Sequence, residues 1–354
     1  MPREDALPRA YRLPQQGKRG ATVEAAPRNV FIEVSNRCNL ACGTCVRAFT
    51  QYEPERDLAL GEFEDIAAQF SHMERAVLHG LGEPLLNRDL PAMIRFLKGR
   101  GVTVLFNSNG TLLNEAWQGE LVRSGLDEFR LSLDTPDSEE YARIRGRPLF
   151  DRVVENLEGL VSTKRRLGAD TPRISIWAVG TKDSIAQLPD LIRLAARLGV
   201  PEVYVQRMTY TVDPAERYGV ASPQQALFGQ LSQAEAKLIE ECHNLSAELG
   251  IGFQASGATD PTHSLSAAED QEQRPWASCR RPWTTAYITV NGNALPCCIA
   301  HWADTNYARM ILGNVWQKQF GDIWNDESYR AWRTALLSDQ PNESCSGCGV
   351  HWSL

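Results

Sequence analysis

Three cysteines in one short loop constrain this chain more than any other feature. Cys38, Cys42 and Cys45 have C-x3-C-x2-C spacing and directly follow a strand-like segment at 30–34. Three closely spaced thiolates can hold three irons of a cubane iron–sulfur cluster. No fourth cysteine is nearby in the sequence, so the fourth iron would stay open for an exchangeable ligand. A structural zinc loop is the alternative, but zinc usually needs a fourth protein ligand at matching spacing.

The number and distribution of the cysteines favour metal ligation over disulfide bonding. The chain has nine cysteines, an odd count, and eight of them form two sets toward the two ends of the chain. A disulfide framework in a small secreted domain has an even count and a different distribution. We therefore expect metal ligation in a reducing, cytoplasmic environment.

Charge and hydropathy argue against two classes of partner. The formal net charge is −7, which disfavours a nucleic-acid backbone as the main partner because phosphates select basic surfaces. No apolar run reaches the roughly 18 residues that a transmembrane helix needs. The first residues also lack the apolar segment of a secretory signal. We expect neither a nucleic-acid nor a membrane partner.

Short apolar runs alternate with helix-like segments along the first two thirds of the chain. The strand-like runs lie at 30–34, 76–78, 102–106, 128–133, 173–179 and 202–205. The helix-like segments lie at 59–72, 89–100, 115–124, 151–167, 184–198 and 222–249. Such a repeat predicts parallel strands joined by right-handed crossovers. Six units are too few for a closed eight-stranded barrel. We predict an α/β fold, a partial (β/α)6 barrel, with its site at the carboxyl ends of the strands.

Composition divides the chain into four segments. Residues 1–28 are rich in Pro, Arg and Gln and are interpreted as an N-terminal arm, and 29–250 form the barrel core. Residues 251–278 are polar and are interpreted as a linker. Residues 279–354 are expected to form a small α+β iron–sulfur domain, in which the Asn291-Gly292 dipeptide indicates a β-hairpin.

Polar motifs follow the second, third and fourth strand-like runs. Gly80-Leu-Gly-Glu-Pro84 follows the second run, an Asn-Ser-Asn-Gly segment at 107–110 follows the third, and Ser-Leu-Asp at 132–134 follows the fourth. Together with the cysteine loop, this arrangement resembles the radical S-adenosylmethionine superfamily over about residues 28–210. In that family the open iron chelates the amino and carboxylate groups of S-adenosylmethionine. Reduction of the cluster then yields a 5′-deoxyadenosyl radical.

The resemblance implies which side chains bind this cofactor. The cofactor-binding residues would be Gly82, Glu83, Pro84, Asn109, Ser132 and Asp134. A carboxylate such as Glu83 suits the methionine ammonium because a charge-assisted hydrogen bond is strong. Asn109 precedes a glycine, and turn formation is its alternative role. The sequence departs from the family at Thr44, where an aromatic or bulky residue is common, and at Leu81, where a glycine is common.

A second cysteine set lies in the last segment of the chain. Cys279 is followed by twelve residues and then Gly292, and four further residues separate Gly292 from Cys297. This resembles the SPASM/twitch auxiliary domain and implies a second, fully ligated [4Fe–4S] cluster that relays an electron or shapes the pocket. The expected ligands are Cys279, Cys297, Cys345 and Cys348. A zinc ribbon is the alternative. Cys298 adjoins Cys297, and the spacing from Gly292 favours Cys297.

The resemblance implies hydrogen abstraction from a substrate, and the sequence favours a polar small molecule such as a sugar, cyclitol or glycosylated natural product. About 28 residues precede the first strand, too few for a leader-peptide-binding domain. Epimerisation or alcohol dehydrogenation would follow. A peptide-modifying maturase is the alternative, and a non-enzymatic iron–sulfur or zinc scaffold is a more distant one.

Two cysteines lie outside the expected ligand sets and are candidate hydrogen donors. Cys298 could face the substrate, and packing beside the cluster is its alternative. Cys242 lies on the apolar face of a predicted helix, where a packed core thiol is favoured. The resemblance further implies an electron donor such as flavodoxin or ferredoxin.

Overall fold

One sheet carries the fold. The computed structural model describes residues 19–208, 223–225, 227, 231–255, 276, 279–303 and 306–346. Within these ranges the sheet has ten strands. They are β1 (Asn29–Ile32), β2 (Arg75–Val77), β3 (Thr103–Ser108), β4 (Glu128–Ser132), β5 (Arg173–Gly180), β6 (Glu202–Arg207), β7 (Gly252–Ala255), β8 (Thr285–Ile288), β9 (Asn293–Leu295) and β10 (Gly313–Asn314).

Helices connect most of these strands. In the described ranges they are α1 (Leu60–Ala68), α2 (Leu90–Gly99), α3 (Glu115–Arg123), α4 (Ser138–Arg145), α5 (Phe150–Arg166), α6 (Leu188–Leu198), α7 (Gln233–Leu249), α8 (Arg281–Thr284), α9 (Ala300–Ala303), α10 (Phe320–Ile323), α11 (Glu327–Leu336) and α12 (Glu343–Ser346). Across those same ranges, no helix combines the length and the apolar character that a bilayer crossing requires.

The strand order confirms the predicted architecture. Strands β1 to β7 lie side by side in chain order and pair in parallel. Parallel strands joined by helices place their carboxyl ends at one edge of the sheet. On the other side of β1, β8 pairs in parallel, and β9 and β10 continue the sheet in antiparallel fashion. The C-terminal segment is thereby joined to the strand that leads into the first cysteine set.

Two elements differ from the sequence interpretation. Strand β7 lies in the stretch interpreted as a linker and pairs with β6. Only Phe253 and Ala255 of its four residues are buried, too few for a period-two pattern to stand out. The long helix predicted before it begins later, at Gln233. There Ser232 and Glu235 form a capping box that fixes its N-terminus.

The predicted hairpin is present at Asn291-Gly292, between β8 and β9. Gly292 has a φ of +81°, a left-handed conformation that glycine adopts without strain. A Cβ atom at this position would also lie 2.3 Å from the Trp316 ring. Both backbone conformation and close packing therefore require glycine here.

The two faces of the sheet differ in character. In β4, Phe129 and Leu131 are buried in the apolar core, whereas Arg130 and Ser132 point to the opposite side, which we call the inner face. The register places Trp177 beside Ser132, and Tyr204 beside Trp177. Polar and aromatic side chains therefore line the inner face and lead to the carboxyl edge of the sheet.

Candidate active site

The first cysteine set lies in the loop that leaves the carboxyl end of β1. Cys38, Cys42 and Cys45 are half-buried free thiols. The loop is closed by a hydrogen bond in which the Cys45 N–H donates to the Cys42 carbonyl at 3.1 Å. Burial raises the pKa of Cys38 to about 11 and also raises that of Cys45. Since thiolates are the metal-binding form, cluster assembly has to displace these protons.

The Gly80–Pro84 loop lies directly against the start of the cysteine loop. The Glu83 N–H donates to the Arg37 carbonyl at 2.7 Å. A Cβ atom on Gly82 would lie 2.1 Å from the Ser35 carbonyl oxygen and 2.6 Å from that of Arg37. Only a glycine permits this approach, which brings two of the segments singled out in the sequence into contact.

Gly82→Ala is expected to destabilise the protein by about 1–3 kcal/mol, because the methyl group would collide with backbone atoms that cannot rotate away. Urea unfolding measures this loss, and S-adenosylmethionine binding should weaken in parallel. Gly61→Ala in α1 is the control, since nothing lies within 4 Å of its Cβ position. That change is expected to be neutral or stabilising. A Gly82→Ala protein as stable as the wild type would contradict the close approach.

The Glu83 carboxylate joins the strand ends to one another. Its Oε1 atom accepts hydrogen bonds from the Ser108 hydroxyl at 2.8 Å and the Leu85 N–H at 3.0 Å. Its Oε2 atom accepts from the Asn109 N–H at 2.8 Å. Burial raises the pKa of Glu83 although these donors oppose the rise. Pro84 begins a buried 3-10 turn for which Glu83 is the N-cap. Binding of the methionine ammonium by this loop stays a prediction.

The other predicted cofactor-binding residues lie at the same carboxyl edge. The Asn109 amide donates to Cys38 Sγ at 3.9 Å and to the Asn39 side chain at 3.0 Å. Ser132 ends β4 on the inner face. Both oxygens of Asp134 are already engaged: Oδ1 accepts from the Val179 N–H at 2.9 Å, and Oδ2 pairs with Arg145. In this structure the Asp134 carboxylate therefore binds other residues of the protein.

A cleft opens between the cysteine loop and the carboxyl ends of β4 and β5. Its lining includes Gly43, Thr44, Asp134, Ile144, Val179 and Ser184. Thr44, the departure noted in the sequence, faces this cleft. A group bound beside the cluster would therefore meet the small hydroxyl side chain of Thr44 and the polar ends of the strands.

Helix α4 docks on the cysteine loop, a contact that the sequence did not reveal. The Gly43 N–H donates to the Ile144 carbonyl at 3.0 Å, and Gly146, with a φ of +76°, ends the helix against Ala41. The Arg145 guanidinium reaches Cys42 Sγ at 3.9 Å and pairs with Asp134 at 2.6 Å. The helix over Ser138–Arg145 was not among those predicted from the sequence, so this contact was missed.

The second cysteine set is partly described. Cys279, Cys297, Cys298 and Cys345 are half-buried, and the predicted ligand Cys348 lies outside the described residues. Burial raises the pKa of Cys279, and the neighbouring Cys298 adds to the rise. Cys297 instead contributes to the raised pKa of Tyr329 in α11, of which burial is the main cause. The choice between Cys297 and Cys298 as ligand stays a prediction.

Cys242 lies in the helical layer outside the sheet. It is fully buried in α7, a helix that packs against α6 and β7. Burial raises its pKa to about 12. This position favours the packed core thiol and gives no support to Cys242 as a hydrogen donor.

Glu33 connects the Gly80–Pro84 loop to the C-terminal hairpin. Its Oε1 atom accepts from the Leu81 N–H at 2.7 Å, and its Oε2 atom accepts from the Val290 N–H at 3.2 Å. Because Gly80 has no side chain, Glu33 and Tyr287 can both pack against it. A Cβ atom there would lie 2.2 Å from Glu33 Oε1 and 2.4 Å from the Tyr287 hydroxyl. Burial raises the pKa of Glu33 from 4.5 to about 7.

The Glu33 shift predicts a pH dependence of stability. The folded state holds the Glu33 carboxyl proton more tightly than the unfolded chain does. The stabilisation that this proton gives the folded state is therefore present below pH 4.5 and is lost as the pH rises through about 7. The loss amounts to about 3 kcal/mol. Urea unfolding from about pH 5 to about pH 8 should show this decline in the wild type and not in Glu33→Gln. Glu55→Gln, which removes an exposed carboxylate, is the control and should keep the wild-type slope. Equal slopes in wild type and Glu33→Gln would contradict the assignment.

A second acidic contact holds the C-terminal segment against the residues that follow the cysteine loop. The Glu53 carboxylate accepts hydrogen bonds from the Asn291 amide at 2.9 Å, the Asn293 amide at 2.8 Å and the Tyr307 hydroxyl at 2.6 Å. The Tyr52 ring stacks on Tyr307 with centroids 4.5 Å apart. The two cysteine sets therefore belong to elements that are joined through buried polar groups.

The donor set has the chemistry of an iron–sulfur site, although the described side chains do not form a preassembled group of three metal ligands. Three thiols share one loop, and the Gly82 approach places a second loop against it. The Tyr141 hydroxyl and the Arg145 Nε atom are buried beside this loop and form no hydrogen bond with any part of the chain that the structure describes. Unsatisfied buried donors of this kind are typical of a site that receives a ligand.

Comparisons with known proteins agree with this geometry. The profile of the radical SAM superfamily matches residues 32–195, and that of the SPASM iron–sulfur cluster-binding domain matches residues 279–349. The chain is similar to a tungsten-containing aldehyde ferredoxin oxidoreductase cofactor-modifying protein of Pyrococcus furiosus. The two are 24% identical over 332 residues, which is 91% of this chain and 87% of the relative.

Two further proteins show similarity over most of the chain. A PqqA peptide cyclase of Xanthomonas oryzae pv. oryzae is 24% identical over 338 residues, covering 92% of this chain and 81% of the relative. The crystal structure of Streptococcus suis SuiB bound to S-adenosylmethionine superposes with a TM-score of 0.67 at 20% identity, covering 88% of this chain and 69% of that one. The latter similarity supports the fold.

Proposed function

This chain belongs to the radical S-adenosylmethionine superfamily and carries a C-terminal SPASM domain, and from that premise we propose that it modifies a peptide. It uses S-adenosylmethionine and two iron–sulfur clusters. The observation that carries the proposal is the match to a PqqA peptide cyclase over 92% of this chain. A match of that extent reaches well beyond the part that binds the shared cofactor.

The polar small-molecule substrate expected from the sequence has less support than the peptide alternative. The relatives described above are named for a peptide and for a cofactor, and neither name supports epimerisation or dehydrogenation of a sugar or cyclitol. The inner face adds a physical argument. Sugars bind aromatic residues through the ring face, but Trp177 has Arg130 3.9 Å above one face and Tyr204 stacked at 3.9 Å on the other.

Specific residues would hold the cofactors. Cys38, Cys42 and Cys45 would ligate the first cluster, and the cleft beside Thr44 would receive S-adenosylmethionine. When bound, these groups supply a 5′-deoxyadenosyl radical that removes a hydrogen atom from the substrate. Within the chain itself, Glu83 holds the loop after β2 against the end of β3 by accepting hydrogen bonds from Ser108 and Asn109.

The C-terminal segment would complete the site. In this proposal Cys279, Cys297, Cys345 and Cys348 ligate the second cluster. Glu33 and Glu53 anchor the hairpin beside the carboxyl edge through the hydrogen bonds described above. A hairpin held in this way would exclude water from a reactive carbon radical and keep the second cluster at a constant distance from it. The inner-face side chains Arg130 and Asn107 would orient the peptide.

Transfer of deuterium tests the substrate class directly. Reconstituted enzyme, dithionite and S-adenosylmethionine are incubated with peptide or polar small-molecule fractions from the source organism grown in D2O. The attacked substrate transfers one deuterium to 5′-deoxyadenosine, which mass spectrometry detects. We expect label from the peptide fraction. Label from the small-molecule fraction alone would overturn the proposal, and unlabelled product from enzyme without substrate is the control.

A further inference from the structure

Arg145 is the one charged side chain, among the described residues, with a hydrogen bond to a sulfur of the first cysteine set. Its Nη1 atom lies 3.9 Å from Cys42 Sγ, and its side chain is 11% exposed. Arginine remains positively charged under all relevant conditions. A fixed positive charge is therefore built in next to a sulfur that would bind iron.

The position of Arg145 is fixed by several contacts. Asp134 Oδ2 pairs with its Nη2 atom at 2.6 Å, and Asp134 is itself held by the Val179 N–H. At the helix end, Gly146 packs so closely on Ala41 that a Cβ atom would lie 3.1 Å from the Ala41 carbonyl. These contacts hold the guanidinium beside Cys42.

We propose that Arg145 is a positioning residue that sets the reduction potential of the first cluster through its hydrogen bond to Cys42 Sγ. A reduced cluster carries one more negative charge than an oxidised one. Hydrogen bonds and positive charge at the ligand sulfurs therefore favour the reduced form, and the reduction potential of a cluster depends on both. Easier reduction favours the electron transfer that initiates S-adenosylmethionine cleavage. This inference does not depend on which substrate the enzyme attacks.

Asp134 has the opposite effect in this arrangement. Its carboxylate partly neutralises the guanidinium, so the pair gives the sulfur a moderated rather than a full positive charge. The polar residue at 134, predicted as a cofactor contact, would then act on the cluster through Arg145. Removing Asp134 should raise the potential, and removing Arg145 should lower it.

The test is a redox titration of the full-length protein with both clusters, followed by electron paramagnetic resonance. The signal that changes on adding S-adenosylmethionine identifies the first cluster. Arg145→Gln is expected to reduce the equilibrium constant for its reduction at least tenfold, equal to a fall of about 59 mV for one electron. Arg152→Gln is the control, because Arg152 is an exposed arginine in the neighbouring helix α5 and does not line the cleft beside Thr44.

The outcomes separate tuning from a merely structural role. An Arg145→Gln protein with full iron content and an unchanged potential would overturn the proposal. Should that variant fail to hold its first cluster, Asp134→Asn serves instead. Its potential is expected to rise, and an unchanged or lower potential would overturn the proposal. Arg145→Lys, which keeps the charge, should recover part of the loss.

Discussion

Replacing Cys42 with alanine will remove the first cluster and reduce 5′-deoxyadenosine formation to background. The three thiols of this loop follow β1 directly in the chain. Loss of one leaves two, which cannot hold a cubane with three ligated irons. Iron should fall from about eight to about four per chain because the second set is untouched. Iron analysis and chromatography of the reaction mixture measure both effects.

Cys242→Ala is the control for this experiment. Cys242 is equally a free thiol but is fully buried in α7. Its replacement should cost some stability through the small cavity it leaves and should retain both clusters and cofactor cleavage. A Cys42→Ala protein that still cleaves S-adenosylmethionine at the wild-type rate would disprove the assignment of the first set.

Cys279→Ala will remove the second cluster and leave the first. In the sequence, the whole barrel lies between the first cysteine set and Cys279, which belongs to the C-terminal segment. Reductive cleavage of S-adenosylmethionine should therefore persist. Iron should again fall from about eight to about four, while formation of modified product stops. The combination of retained cleavage and lost product distinguishes this variant from Cys42→Ala.

A paired set of variants identifies the uncertain ligand in the same experiment. If Cys297 binds the second cluster, Cys297→Ala should lose about four irons and Cys298→Ala should keep all eight. The reverse result would assign Cys298 as the ligand. Zinc at one per chain and no second cluster would support the zinc ribbon instead.

The barrel and the cysteine loop could be predicted because both depend on local sequence. Strand and helix periods are visible within a few residues, and the spacing of Cys38, Cys42 and Cys45 describes one loop. The hairpin at Gly292 was predictable for the same reason, since its backbone conformation restricts the residue type. β7 was missed because four residues carry too little pattern.

The contacts that complete the site could not be predicted, because they join residues that are distant in sequence. Arg145 meets Cys42 only after α4 folds back on the loop, and Glu33 meets Val290 only because β8 pairs with β1. Asp134 resembled a cofactor contact in the sequence, yet its partners in the structure are Arg145 and Val179. A carboxylate in a motif does not reveal which cation or N–H group it faces.

Electron–nuclear double resonance on the reduced protein tests the central claim most directly. The account holds that Cys38, Cys42 and Cys45 leave one iron of the first cluster open to the amino acid part of S-adenosylmethionine. With the cofactor labelled with nitrogen-15 at its amino group, the account predicts a hyperfine coupling between the label and the cluster. A reduced four-iron cluster that shows no such coupling at saturating cofactor would contradict it.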